Sequence, residues 1–281
     1  MNDGAMQPFA LTVDKFLDHA AKWHSDAEVV TAHADGVNTR IGYAALRDRA
    51  MRGSAVLAGL GVAPGQRVAT LAWNSQAHLE AWYAIMGMGA SCHTLNPRLT
   101  ADVTASMFRQ SGARVLIVSA DLLPLAREIA ARASLQTILT IDEEGEGCRR
   151  EEGAQPLEPL IADGKADAAW GGFDENTECG LCFTSGTTGQ PKGVTYTHRS
   201  TYLHTLRLLQ ADVMAMTAGD TALPVVPMFH ASAWGMPFAA PAVGARLVLP
   251  GRHLDGASLA RLIVAEGVTV ASAVPTVWLG L

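Results

Sequence analysis

At 281 residues the chain has room for one large domain or two small ones, and its charged share of 17% is low enough that much of it must be buried. The net charge of −6, from 21 Lys and Arg against 27 Asp and Glu, argues against nucleic acid, which needs a basic surface to neutralise phosphates. Four cysteines do not make a disulfide framework, and with Cys92 and Cys148 isolated no second pair completes a metal site with Cys179 and Cys182, so a reduced cytoplasmic protein fits best.

In chain order, a helix with Thr12 or Asp14 as its cap and Phe16, Leu17, Ala20, Ala21 and Trp23 as one stripe is expected first. Val29–Ala32, the turn Asp35-Gly36 and Asn38–Ile41 read as a small hairpin. A helix follows from Tyr43 to Leu60. Strand and helix then alternate: strand Val68–Ala72, helix Ser75–Met88, strand Ser91–Leu95, helix Ala101–Ser111, strand Arg114–Val118, helix Asp121–Ala133, strand Thr137–Ile141. Short connections between such elements predict an α/β fold, a parallel sheet with helices on both faces. A Rossmann dinucleotide site needs glycines between the first strand and helix, and Trp73-Asn74-Ser75-Gln76 has none.

Glu143 to Asp167 is acidic, Gly-rich and poor in large apolar residues, which predicts a loop or insertion. The expected organisation is a first α/β lobe at 1–142, a connecting region at 143–170 and a second α/β lobe at 171–281. The second lobe holds strands around 181–183 and 194–197, a helix from Arg199 to about Met216 and a strand from Thr221 to Val226. An Ala/Ser/Gly-rich helix then runs from after His230 through Ala240. Strand Arg246–Leu249, helix Leu259–Glu266 and strand Val268–Val274 complete it, and another helix begins after Pro275. No signal peptide is visible. The most apolar long run, Trp234 to Pro250, is broken by Pro237, Pro241, Gly244 and Arg246, so a membrane span is not expected.

The most informative stretch is Leu181 to Gly193, L-C-F-T-S-G-T-T-G-Q-P-K-G. Thr184, Ser185, Thr187 and Thr188 supply hydroxyls. Gly186, Gly189 and Gly193 leave backbone bare, and Lys192 adds a cation. Such a set suits a polyphosphate. It fails the Walker pattern, because Pro191 precedes the lysine and Gly193 stands where the magnesium-binding hydroxyl residue belongs. Strand-like residues on both sides place the loop between two strands, with no helix dipole beneath it. A Ser/Thr/Gly surface turn that binds nothing is the rival reading. His230 follows a strand and a proline, at the kind of strand end where open α/β sheets bind ligands, although a buried core histidine is the plain alternative.

T-S-G-T-T-G-Q-P-K-G resembles the signature of the AMP-forming adenylate synthetases, which include acyl-CoA synthetases, peptide-synthetase adenylation domains and firefly luciferase. P-M-F-H-A-S-A-W-G-M-P-F most resembles the long- and medium-chain fatty acyl-CoA synthetases, as do H-T-L-N-P-R-L and N-S-Q-A-H-L-E-A-W, whose His93, Asn96 and Glu80 are read as scaffold. The resemblance implies the layered-sheet N-terminal part of that fold, truncated. It also implies ATP-dependent activation of a fatty acid to acyl-adenylate and then acyl-CoA, with Mg²⁺ as cofactor and CoA as second substrate. By the same resemblance Lys192 and His230 are the catalytic residues, and Thr184 holds Mg²⁺. Thr184, Ser185, Gly186, Thr187, Thr188, Gly189 and Lys192 cradle phosphates. Ala231 and Trp234 line the adenylate and acyl pocket, with Trp234 closing an acyl tunnel. A homodimer is also expected. The small residues Ala231, Ala233, Gly235, Ala239 and Ala240 suit a tunnel wall and suit close helix packing equally. The family's ribose-binding, hinge and C-terminal lysine segments are not matched, so this chain is expected to be a partial enzyme, inactive alone. Activation of a short-chain, aryl or sulfur-containing acid stays open, as does a non-catalytic nucleotide-binding module.

Overall fold

The computed structural model describes residues 9–142, 152–184 and 191–281. The strands are β1 (Glu28–Thr31), β2 (Thr39–Gly42), β3 (Arg67–Leu71), β4 (Ser91–Thr94), β5 (Val115–Ser119), β6 (Thr137–Ile141), β7 (Gln155–Pro156), β8 (Glu178–Thr184), β9 (Lys192–Thr197), β10 (Thr221–Pro224), β11 (Arg246–Leu249) and β12 (Val270–Ser272). The helices are α1 (Asp14–Trp23), α2 (Tyr43–Gly59), α3 (Gln76–Gly87), α4 (Ala101–Ser111), α5 (Leu123–Ala130), α6 (Leu157–Asp163), α7 (His198–Leu208), α8 (Met236–Val243), α9 (Gly256–Glu266) and α10 (Pro275–Trp278).

Two sheets result. One runs β7-β6-β5-β3-β4-β8-β9 and the other β12-β10-β11-β1-β2. Every pairing in the first is parallel except β8–β9, and in the second except β1–β2. The division of the chain by sheet differs from the expected division into lobes, because β1 and β2 join β10–β12 while β8 and β9 join β3–β7.

Hydrophobic contacts define five layers. The middle one is built from α1, α2, α3 and α8, and it packs Leu46, Leu57, Trp82, Tyr83 and Phe238 against Val29 and Leu247 of one sheet and Val68 and Val115 of the other. α4 and α5 cover the outer face of the larger sheet through Phe108, Ala126 and Ile129. α9 covers the smaller one through Leu259 and Leu262. Strands covered on both faces read as continuous apolar runs, which is why every residue of β5 is buried. α3 is buried all round from His78 to Gly87, as a helix between two sheets must be.

Burying α3 takes Glu80 out of water. Its carboxylate accepts from Arg49 Nε at 2.7 Å and Gln76 Nε2 at 2.8 Å, and Arg49 in turn reaches Glu158 of α6. Burial pushes the Glu80 carboxyl up and the Arg49 guanidinium pulls it back. That ion pair ties α2, α3 and α6 together.

Three expectations need correction. Residues 152–163, read as part of a loop or insertion, hold β7 and α6. Leu157 and Ile161, one turn apart, are buried and give that short helix its inner face. α7 stops at Leu208 instead of reaching Met216. Neither Thr12 nor Asp14 caps α1: the capping position is Val13, without a side-chain bond, and Trp23 is 66% exposed.

Candidate functional site

β8 and β9 form an antiparallel hairpin at one edge of the larger sheet. Its register pairs Cys182 with Val194, Phe183 with Gly193 and Thr184 with Lys192. Thr184 and Lys192 are therefore cross-strand neighbours at the mouth of the hairpin, both exposed. The strands expected on either side are present. Ser185, Gly186, Thr187, Thr188 and Gly189 lie outside the described residues. At Gly193 a Cβ would fall 3.0 Å from the Leu181 side chain, so the glycine lets the two strands close tightly. Phe183 packs on the His93 ring, centroids 5.2 Å apart. His93 is fully buried, and neither of its ring nitrogens has a hydrogen-bond partner.

The His230 segment reaches the same corner from the other sheet. After β10 it is held by Asn74, in the turn between β3 and α3. The Asn74 Nδ2 donates to the carbonyls of Pro224 (2.9 Å) and Val226 (3.1 Å), and Oδ1 accepts from Met228 N at 2.7 Å. Gly251 N donates to the Asn74 carbonyl at 3.0 Å. A buried carboxamide with its hydrogen bonds used in this way is a clamp between the sheets. Phe229 packs beside Trp73, with the Arg98 guanidinium 5.9 Å from its ring centre. His230 itself is exposed, not a core histidine.

Beyond His230 the expected helix does not begin. Ala231, Ser232, Ala233 and Trp234 take φ of 43°, 52°, 49° and 54°, and Gly235 takes 82°. This left-handed turn costs an L-residue roughly 1–2 kcal/mol per position, and strain of this kind gathers at functional segments. α8 starts only at Met236, so Trp234 does not share a helix face with His230. Trp234 is 40% exposed and so is not part of the packed core. Its carbonyl accepts from His204 Nε2 of α7 at 3.3 Å. A Cβ at Gly235 would lie 2.9 Å from the same imidazole, so only glycine fits that close approach at positive φ. Ala231 is exposed beside His230, whereas Ala233, Ala239 and Ala240 are fully buried and serve close packing.

Thr94, the last residue of β4, links the two parts. Its hydroxyl lies 3.3 Å from Cys182 Sγ and donates to the Phe229 carbonyl at 3.4 Å. Burial pushes the Cys182 thiol up, against the pull of the Thr94 hydroxyl. Thr184, Lys192, His230, Ala231 and Trp234 thus gather around the carboxyl ends of β4, β8 and β10, where open α/β sheets take ligands. Asn74, Thr94 and Arg98 are the contributors that sequence reading did not single out. The only signal for Asn74 was an amide between an apolar strand and a helix.

A separate cleft of about 640 Å³ opens beyond Asn74, lined by Thr31, His33, Trp73, Asp121, Asp142 and Arg252 among others. No sequence-predicted site residue lines it. Its carboxylates are engaged: Asp142 accepts from the Ser75 and Ser119 hydroxyls at 2.9 Å each, and Asp121 from Trp73 Nε1 at 3.0 Å and Arg252 at 3.1 Å. Among the described residues no group of three or more His, Cys, Asp or Glu is placed to hold a metal, and no helix is long and apolar enough to cross a membrane. Cys92, Cys179 and Cys182 are free thiols.

Two α-covered sheets, with Thr184 and Lys192 paired at the mouth of an edge hairpin, define a layered α/β fold. The chain belongs to the AMP-binding enzyme family, whose pattern matches residues 16–281. It is 42% identical over 282 residues to the medium-chain-fatty-acid–CoA ligase of Ectopseudomonas oleovorans, covering 99% of this chain and 51% of that protein. It is 41% identical over 280 residues to the 3-methylmercaptopropionyl-CoA ligase of Ruegeria lacuscaerulensis, covering 99% and 52%. The inhibitor-bound N-terminal domain of FACL13 from Mycobacterium tuberculosis superposes with a TM-score of 0.82 at 27% identity, over 95% of this chain and 63% of that one. The chain spans about half the length of the curated relatives it matches.

Proposed function

We propose that this chain is the phosphate- and acid-binding part of an AMP-forming acyl-CoA ligase whose substrate is a fatty acid. The observation that carries the proposal is the pairing of Thr184 with Lys192 at the mouth of the edge hairpin, beside the His230 turn, in a chain of the AMP-binding family. The 42% identity to a medium-chain fatty-acid ligase supports the substrate class.

In the proposed reaction the carboxylate attacks the α-phosphorus of ATP, an acyl–phosphate bond forms and pyrophosphate leaves. The CoA thiol then attacks the acyl carbon and AMP leaves. Lys192, exposed at the mouth of the hairpin, would follow the β- and γ-phosphates as charge builds on the leaving oxygens. Thr184 offers the kind of hard oxygen that Mg²⁺ takes, and the ion when bound would offset phosphate charge. His230 and Ala231 would meet the carboxylate and adenylate, and Trp234 the acyl chain.

The test is acid-dependent ATP–pyrophosphate exchange by the full product of the gene, with saturated fatty acids of graded length and 3-methylmercaptopropionate as rival. The expected result is exchange that rises with chain length and stays low with the sulfur-containing acid. Preference for that acid overturns the substrate class. Exchange with no acid overturns the reaction.

A further inference from the structure

The phosphate hairpin and the His230 turn belong to different sheets, yet acid and nucleotide must meet in one geometry. Something has to fix one relative to the other. Cys182 is on β8, in line with Thr184, and Phe229 immediately precedes His230. Thr94 touches both from the adjoining strand, and is itself 7% exposed.

The hydrogen-bond directions are consistent. The Thr94 O–H points to the Phe229 carbonyl, which can only accept. The Cys182 S–H is then the donor to Thr94 Oγ1. The connection, with contacts of 3.3 and 3.4 Å, is buried and spans the join between the sheets.

We propose that Thr94 is a positioning residue: its hydroxyl, with the Cys182 thiol, sets the His230–Trp234 turn that meets the acid at a fixed place relative to the hairpin that meets the phosphates. This rests on the ligase reading above. Nucleotide binding through the hairpin does not need the link, whereas productive placement of the acid does.

The variants are Thr94→Val, which keeps the shape and removes the hydroxyl, and Thr94→Ser, which keeps the hydroxyl. In Thr94→Val the kcat/KM for acid should fall about tenfold, the effect of one hydrogen bond of ordinary strength, with the KM for ATP unchanged. Thr94→Ser should stay near the parent. Amide hydrogen exchange should speed up over residues 229–236 in Thr94→Val and not in Thr94→Ser, with α3 unchanged. Cys182→Ala should reproduce both shifts, and it replaces Thr94→Val if that variant does not fold. Unchanged exchange over 229–236 overturns the link itself. Faster exchange with unchanged kcat/KM for acid overturns the positioning role. If the parent protein activates no acid, the ligase reading falls, and the exchange measurement still decides the link.

Discussion

Ser232→Gly tests the left-handed turn with an unusual sign. Ser232 sits at φ 52° inside the turn, half-buried. Removing its Cβ relieves roughly 1–2 kcal/mol of left-handed strain. Glycine's greater freedom in the unfolded chain takes back about 0.5–1 kcal/mol. The protein should therefore gain about 0.5–1 kcal/mol, a rise of about 1–3 °C in Tm for a domain of this size. Ala260→Gly is the control, at an exposed position inside α9. There the same kind of change should destabilise by about 1 kcal/mol, the usual helix-interior effect. Thermal melts of both variants beside the parent give the answer. A loss at Ser232 as large as that at Ala260 would show that the residue is not left-handed.

Lys192→Ala in the full gene product should slow acid-dependent ATP–pyrophosphate exchange by about ten- to a hundredfold, the range for one charge-assisted hydrogen bond; an unchanged rate removes the hairpin from the mechanism. Trp234→Ala should lower stability by less than about 1 kcal/mol, because the side chain is 40% exposed and the ~3–5 kcal/mol of a core truncation does not apply. It should also alter the ATP dependence of fatty-acid binding, so melts and acid titrations are read together, and unaltered coupling counts against a gate. Stability should fall as pH drops from 7.5 to 6. Burial lowers His78 and His198 to about 4 and His93 to about 3. Depressed folded values mean that only the unfolded chain takes up protons as pH falls through ~6.5, which costs about 0.8 kcal/mol per histidine by pH 6 and about 2 kcal/mol for the three. Urea midpoints at the two pH values check this, and equal midpoints contradict it.

Where apolar periodicity was strong, the elements were legible. α4 runs from Ala101 to Ser111 as expected, and α2, α3 and β3–β6 fall within a residue or two. β8 and β9 were legible because the β-branched and aromatic residues within them have no helical pattern. α6 was hidden because its apolar residues, Leu157, Leu160 and Ile161, fall in one short helix within an acidic, Gly-rich stretch. The left-handed turn had no local signal, since Ala231-Ser232-Ala233-Trp234 contains no glycine and alanine favours a right-handed helix. The clamp residues were invisible for a different reason. Asn74 bonds Met228 from 154 positions away and Thr94 bonds Phe229 from 135 away, so their roles exist only once the two sheets are brought together.

The most direct test of the account is product analysis of the full gene product with ATP, Mg²⁺, CoA and a series of saturated fatty acids, followed by mass spectrometry and by AMP and pyrophosphate release. Acyl-CoA, AMP and pyrophosphate should appear in equal amounts, at a rate that depends on acid length and falls with Lys192→Ala. ADP and phosphate in place of AMP and pyrophosphate, or no thioester from any acid in the series, would contradict it.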